Sequence, residues 1–266
     1  MSEGRFYLME NPREGERLEN KTSPDAVEAQ LQWAGLAAGM QALEVGCGTG
    51  AVTRVMARLA DPGRAVGIDQ SAERLEAGRA IAARTGLEIH FEEGDANHLP
   101  LPATSFDFSF SRFLFEYLPD PPRALSELIR VTRPGGIVAV ADLDGQIESF
   151  HPLEPTLAAA LDEGLRILRN TGFDTRVGRK LYAWFLQAGL RDVAVDVSPY
   201  QVYAGGIPDG DWFNWKTKIA TTVEVIVQRA GDRARWERLR DDLLKAMRSP
   251  DLFYCCTMVA VRGRVA

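Results

Sequence analysis

The run Ala42-Leu43-Glu44-Val45-Gly46-Cys47-Gly48-Thr49-Gly50 constrains this chain more than any other segment. An apolar strand that ends in an acid and passes into three alternating glycines is suited to seat a nucleotide-like cofactor. Gly46, Gly48 and Gly50 permit positive φ and let the backbone approach a ligand closely. Ala51 to Ala60 follows at helical spacing with Val52, Val55, Met56 and Leu59 on one face, so the glycines lie on a strand-to-helix turn. Such a turn alone is also an ordinary connector.

The next acid sharpens the reading. Ala65-Val66-Gly67-Ile68-Asp69 is a second strand ending in a carboxylate about 20 residues beyond the last glycine, the spacing from which a neighbouring strand grips a ribose diol. Ser71 serves as N-cap of the helix carrying Leu75 and Ile81, which leaves Asp69 free for the ligand. A third strand, Leu87 to Phe91, turns at Gly94-Asp95-Ala96, where Asp95 is placed to accept a hydrogen bond from an adenine amino group, and leaves on Leu99-Pro100-Leu101-Pro102. Phe106 to Phe110 is a fourth strand, Pro121-Pro122 opens a helix, and Arg133-Pro134-Gly135-Gly136 turns into a fifth strand, Ile137 to Ala141. This alternation predicts an α/β fold, a doubly wound and mostly parallel sheet with ligands at the carboxyl ends of its strands.

Four motifs occur in a fixed order: Glu44 to Gly50, Gly67-Ile68-Asp69-Gln70-Ser71, Gly94-Asp95-Ala96 with Leu99-Pro100, and Leu128 to Gly136. On these the chain resembles the class I S-adenosylmethionine-dependent methyltransferases of the small-molecule type, a group that includes the ubiquinone and menaquinone methyltransferases. The resemblance implies a Rossmann-like methyltransferase fold of seven strands, two terminal strands completing the sheet, one of them antiparallel. It implies S-adenosyl-L-methionine as cofactor, with the loop of Glu44, Gly46, Gly48 and Gly50 under its methionine part and Asp69 on the ribose hydroxyls. Asp95 and Ala96 would contact the adenine, Gln70 would flank it, and Ser111 would stand near the methionine end. Asp120-Pro121-Pro122-Arg123 only superficially resembles the Asp-Pro-Pro-aromatic motif of nucleic-acid amino methyltransferases; the position of that motif holds Ser111-Arg112-Phe113-Leu114.

Length and charge bound the rest. With 266 residues, 45% of them hydrophobic, one sizeable core is expected. The division is a leader and helix over 1–36 covering the cofactor site, then one catalytic domain over 37–266 with a helical cap inserted near 146–175 and 205–250 as a second such stretch. No run reaches the ~18 apolar residues of a membrane span and none follows Met1-Ser2-Glu3-Gly4-Arg5, so a cytoplasmic protein is expected. A net charge of −6 argues against a nucleic-acid partner. The three cysteines form neither a disulfide framework nor a zinc spacing, no metal is expected, and Cys47 reads as a small residue that fits its loop. Monomer and homodimer are both open.

Substrate choice falls on the later segments, with helices expected over 155–170, 176–188 and 209–229 and strands at Val193 to Val197 and Phe253 to Val261. Methyl transfer from a sulfonium needs chiefly an in-line approach at ~3–3.5 Å and exclusion of water. A base would help a neutral hydroxyl or an acidic carbon. His151, in the loop after the fifth strand, is the leading catalytic candidate, a surface histidine being the alternative; Glu116, read as an exposed helix acid, and Asp142 follow. His90 reads as packed core, and His98 as remote from the methyl group. Glu16 to Lys21 is too polar for a core element: Arg17 or Lys21 meets a carboxylate of cofactor or substrate, or the helix is simply solvated. Phe113, Phe115, Tyr117, Phe150, Trp212, Phe213 and Trp215 line a pocket or fill the core. The function expected is O-, N- or C-methylation of a small molecule, such as a secondary metabolite or a quinone-like compound. The alternatives are a non-methylating S-adenosylmethionine-binding protein and an NAD-dependent oxidoreductase, although the latter use Gly-x-Gly-x-x-Gly.

Overall fold

The computed structural model describes residues 7–11 and 13–266; the expectations that fall on residues 1–6 and Pro12 lie outside them. The parallel strands are β1 (Gln41–Val45), β2 (Arg64–Asp69), β3 (Ile89–Glu93), β4 (Phe106–Arg112) and β5 (Thr132–Asp144). They are joined by α3 (Ala51–Ala60), α4 (Ala72–Arg84) and α5 (Pro121–Val131), with α1 (Glu14–Lys21) and α2 (Pro24–Ala34) preceding them. After them come β6 (Phe150–His151), α6 (Pro155–Arg169), α7 (Gly178–Gln187), β7 (Arg191–Ala204), α8 (Asp209–Ala230), α9 (Arg233–Ala246) and β8 (Phe253–Arg264).

The sheet runs β3-β2-β1-β4-β5-β8-β6, with β7 also paired to β8. It has eight strands where seven are expected, the additional one being the two-residue β6, which pairs Phe150 with Tyr254 and His151 with Phe253. Antiparallel β8 lies between β5 and β7, as the resemblance implies. Strand order reverses at β1, whose neighbours are β2 and β4, and a crevice opens beyond the carboxyl ends at such a switch point.

Strand periodicity sorts the core. Ala42, Phe108, Phe110, Ile137 and Ala139 pack against Val27 and Leu31 of α2 and Val55 and Met56 of α3. Their neighbours Leu43, Val138 and Val140 face Leu125 and Leu128 of α5 and Leu181 and Phe185 of α7. A separate cluster joins α6, α8 and α9 around Trp215, Trp236, Leu161, Leu165 and Tyr254. Trp215 is core there and Trp212 packs against its edge, which decides the pocket-or-core alternative for both.

The N-terminal helices begin and end on the expected chemistry. Ser23 caps α2 ahead of Pro24, Ser71 caps α4, and Asp120 caps α5 by accepting the Arg123 N–H. Asp120-Pro121-Pro122 is therefore a helix start.

Candidate active site

One cavity of about 400 Å³ opens at the switch point, lined by the tips of β1 to β4 and covered by α1. Its floor is the glycine turn. Gly46 and Cys47 both donate to the Ile68 carbonyl at 2.7 and 2.9 Å, which ties the turn to β2. Gly46 and Gly48 have φ of +78° and +56°, and a Cβ would meet Leu114 at the first and Leu18 at the second, so both faces of the turn are already closely covered. Gly50 (φ +75°) lies outside the lining: it starts α3 and packs on the Phe91 ring, a structural reason for the third glycine.

Asp69 stands at the tip of β2 and lines the cavity, but it is not free as the sequence suggests. Its Oδ2 accepts the Gly48 N–H at 2.8 Å, and its Oδ1 accepts the Ser71 N–H at 2.9 Å and Arg74 at 3.3 Å. A carboxylate offers about four acceptor sites, so one remains for a ligand hydroxyl. Gln70, Asp95 and Ala96 also line the cavity, and Asp95 accepts the Asn97 N–H while its second oxygen has no partner among the described residues. Beside it, Asn97 Oδ1 is buried with no hydrogen-bond partner among the described residues, an acceptor open to a donor. Asn97 escaped the sequence reading because nothing in Gly94-Asp95-Ala96 signals which following side chain turns inward.

Glu44 lines the cavity at the tip of β1, with Thr53 Oγ1 donating to its Oε2. Burial pushes its carboxyl up to about 8 against the opposing pull of Thr53 and Arg112. Glu44 is thus largely protonated at neutral pH, and a cationic ligand would lower its pKa and expel the proton. Affinity for S-adenosylmethionine should then rise up to tenfold per pH unit as pH climbs toward 8 and level off above it. Calorimetry in two buffers of different ionisation enthalpy should register the released proton, and Glu44→Gln should flatten the pH dependence; a flat profile in the unmodified protein would refute it.

Other candidates lie elsewhere. Ser111 is fully buried below the cavity and donates to the Val45 carbonyl at 2.9 Å, which makes it a clasp between β4 and β1. His151 is exposed on β6, outside the lining, where β6 pairs with the start of β8 on the edge that β5 occupies further along. His90 is exposed on edge strand β3 rather than packed in the core, and His98 is also exposed. Asp142 is fully buried and accepts the Glu116 and Leu143 N–H groups, so it shapes the turn after β4. Glu116 is buried rather than exposed, at 2%.

The largest departure is α1. Its polar sequence suggests solvent, yet Glu14 and Arg17 are each 2% exposed. Arg17 binds Glu14 through two hydrogen bonds of 2.7 and 2.6 Å and reaches Asn214 of α8 at 3.0 Å. Tyr7 and Asn11 complete the acceptor sites of Glu14. Glu19 accepts Thr49 at 2.5 Å and Arg54 at 2.6 Å, fastening α1 onto the glycine turn. Lys21 is the member of this helix whose charged end faces the cavity.

Residues 43–140 match the family described as Methyltransferase domain. Over that segment the chain is similar to the class I methyltransferases. The rice protein 2-methyl-6-phytyl-1,4-hydroquinone methyltransferase 2, chloroplastic, is 32% identical over 154 residues, 58% of this chain and 40% of the rice protein. Malonyl-[acyl-carrier protein] O-methyltransferase of Pectobacterium atrosepticum is 39% identical over 114 residues, 42% of each chain. The matched segments thus span about two fifths of these curated relatives. Among solved structures, the YcgJ protein of Bacillus subtilis superposes with a TM-score of 0.60 at 21% identity, covering 91% of this chain and 98% of YcgJ, a likeness of fold. The cavity fits the cofactor of that group on its own terms: an acceptor after β3 that is buried and unpaired among the described residues, a carboxylate with spare capacity at β2 and a tightly covered glycine turn at β1.

Proposed function

We propose that this chain transfers the methyl group of S-adenosylmethionine to an oxygen, nitrogen or carbon of a small-molecule acceptor, such as a quinone-like compound or another secondary metabolite. The observation that carries the reading is the order of groups along one cavity. Because the strands stand in the order β3-β2-β1-β4, their tips present Asp95 and Asn97, then Asp69, then Gly46 and Gly48, then Phe113 and Leu114. That order suits adenine, then ribose, then the sulfonium, with the amino-acid tail running from sulfur over the glycine turn and the methyl branching from the same sulfur toward the β4 end. The cofactor supplies an electrophilic methyl carbon. The protein's part is to hold the nucleoside with Asn97, Asp95 and Asp69, align the tail on the glycine turn, and keep water out with α1. The rice relative is named a hydroquinone methyltransferase and the Pectobacterium relative a malonyl-[acyl-carrier protein] O-methyltransferase, which favours an oxygen acceptor or a ring activated by a hydroxyl.

Titration calorimetry with S-adenosylmethionine, S-adenosylhomocysteine and NADH is the first test. Heat with the first two and none with NADH supports the reading, and no response to either adenosyl compound sinks it. A tritiated-methyl screen over metabolite extracts then identifies the acceptor; a protein that binds the cofactor but labels nothing would instead be the non-methylating relative.

A further inference from the structure

We propose that the acceptor is an acidic hydroxyl or carbon acid bound as its oxyanion, held by Lys21 and Arg112 at the β4 end of the cavity, and that amines are rejected there. This rests on the methyltransferase reading and narrows its acceptor class.

Charge is graded along the cavity: Glu44 and the fully buried Asp142 act on Arg112, but burial holds both carboxyls toward their uncharged forms. The cavity's carboxylic groups, Glu44, Asp69 and Asp95, stand at the tips of β1, β2 and β3, and Arg74 at that end is paired with Asp69 and Glu10. Lys21 and Arg112 line the other end. Among the described residues neither has a carboxylate within ion-pairing distance; Arg112 donates to the neutral Gln30 Oε1 at 3.1 Å. Both cations instead address the ring of Phe113, Arg112 with its guanidinium carbon 4.0 Å from the centroid and Lys21 with Nζ at 5.0 Å. A ring face is a weak substitute for a counter-ion in a partly desolvated place, so an anionic ligand gains more here than in water.

The ring is fixed at some cost. Phe113 has φ +56°, the left-handed region that bulky side chains avoid, and the edge of Tyr200 meets its ring at 5.0 Å. Strain of this kind persists where surrounding structure imposes it, and it gathers at ligand-handling positions.

The groups behind Lys21 do not restore neutrality. Arg17 and Glu14 consume each other, and Lys218 of α8 donates to the neutral Gln146 Oε1 at 2.5 Å. Among the described residues Glu116 is the remaining acid acting on Lys21; its Oε2 has no hydrogen-bond partner among them, and burial drives its carboxyl toward the uncharged form. Burial, then the charge of Arg17, lowers the Lys21 ammonium as well, which is the behaviour of a cation short of anions.

The charge balance of the reaction points the same way. The acceptor loses its proton to solvent, its electron pair forms the bond to the methyl carbon, and the carbon–sulfur pair stays on sulfur. With an oxyanion, one positive and one negative charge vanish together in a low-dielectric cavity. With an amine, the product carries a new cation beside Lys21 and Arg112.

The test uses 4-nitrophenol, whose phenolate absorbs in the visible, and 4-nitroaniline as an amine of matching shape, on protein saturated with S-adenosylhomocysteine. Bound nitrophenol should ionise about one pH unit lower than in solution, a tenfold preference for the anion. Nitroaniline should bind at least tenfold more weakly than nitrophenolate. Lys21→Met and Arg112→Met should each reduce nitrophenolate affinity about tenfold, and Lys21→Arg should recover most of it. Nitrophenol that binds uncharged, binds no better than nitroaniline, or does not bind overturns the proposal. A second arm compares S-adenosylhomocysteine with methylthioadenosine, which lacks the amino-acid tail. If Lys21→Met weakens the former tenfold and leaves the latter unchanged, Lys21 holds the cofactor's carboxylate and the proposal fails. Failure of the unmodified protein to bind S-adenosylhomocysteine at all would remove the methyltransferase reading itself, so the two failures are told apart.

Discussion

Replacing Asp69 by alanine is expected to weaken S-adenosylhomocysteine binding about 100-fold, near 2.7 kcal/mol. Two losses combine. The carboxylate would lose its remaining acceptor site for a ribose hydroxyl, and a hydrogen bond to a charged group contributes roughly 1.5–3 kcal/mol. It would also release the Gly48 N–H, so the glycine turn would no longer be held in its ligand-ready shape. Asp69→Asn keeps one acceptor oxygen, so either the Gly48 N–H or the Ser71 N–H loses its acceptor, and the variant should fall between the unmodified protein and Asp69→Ala, about tenfold weaker than the former. Calorimetry reads both values, and an Asp69→Ala affinity within threefold of the unmodified protein would take Asp69 out of the cofactor site.

The second large effect is expected at Arg17. Removing one partner of a buried ion pair leaves an uncompensated charge, which typically costs about 3–5 kcal/mol. Arg17→Met would leave Glu14 with only Tyr7 and Asn11 as donors. An eight-residue helix has little stability of its own, so the molecule can escape that cost by letting α1 detach while the sheet stays intact. The expected outcome is a loss of cofactor affinity of tenfold or more, faster tryptic cleavage around Arg13 and Lys21, and a melting temperature changed by only a few degrees. The double replacement Glu14→Gln with Arg17→Met should recover part of the loss. A large cooperative drop in melting temperature would show instead that α1 is integral to the core.

How much of this was legible in the chain follows from the range of the interactions involved. The glycine turn, the β2 acid, the cap at Ser71 and the helix start at Pro121-Pro122 are set by contacts within a few residues or by the strand-helix period, and the structure has them where the sequence indicated. Burial of Glu14 and Arg17 was not readable, because a polar helix carries no local mark of the partner that covers it; Asn214 lies 197 residues away. Glu116 was misjudged for the same reason, since its surroundings come from α1 and α8 rather than from its neighbours in sequence. The His151 expectation failed on topology: a two-residue pairing with β8 pulls that loop away from the cavity, and a pairing so short leaves no periodic signal. Phe113 hid its role because a residue forced to positive φ by its surroundings looks like any other aromatic in the sequence.

The fastening of α1 has a consequence for how the molecule responds to its medium. Its ties to the body run through Glu19 to Thr49 and Arg54, while Glu10 holds Arg74 beside Asp69, and these pairs lie partly in water. Mobile ions screen such attractions over about 8–10 Å, whereas the packed layers on either face of the sheet are indifferent to screening or tightened by excluded salts. Doorway and scaffold therefore obey separate variables: brine loosens the first, warmth the second, and the rate at which spent cofactor departs can vary with ionic strength while the architecture stays whole.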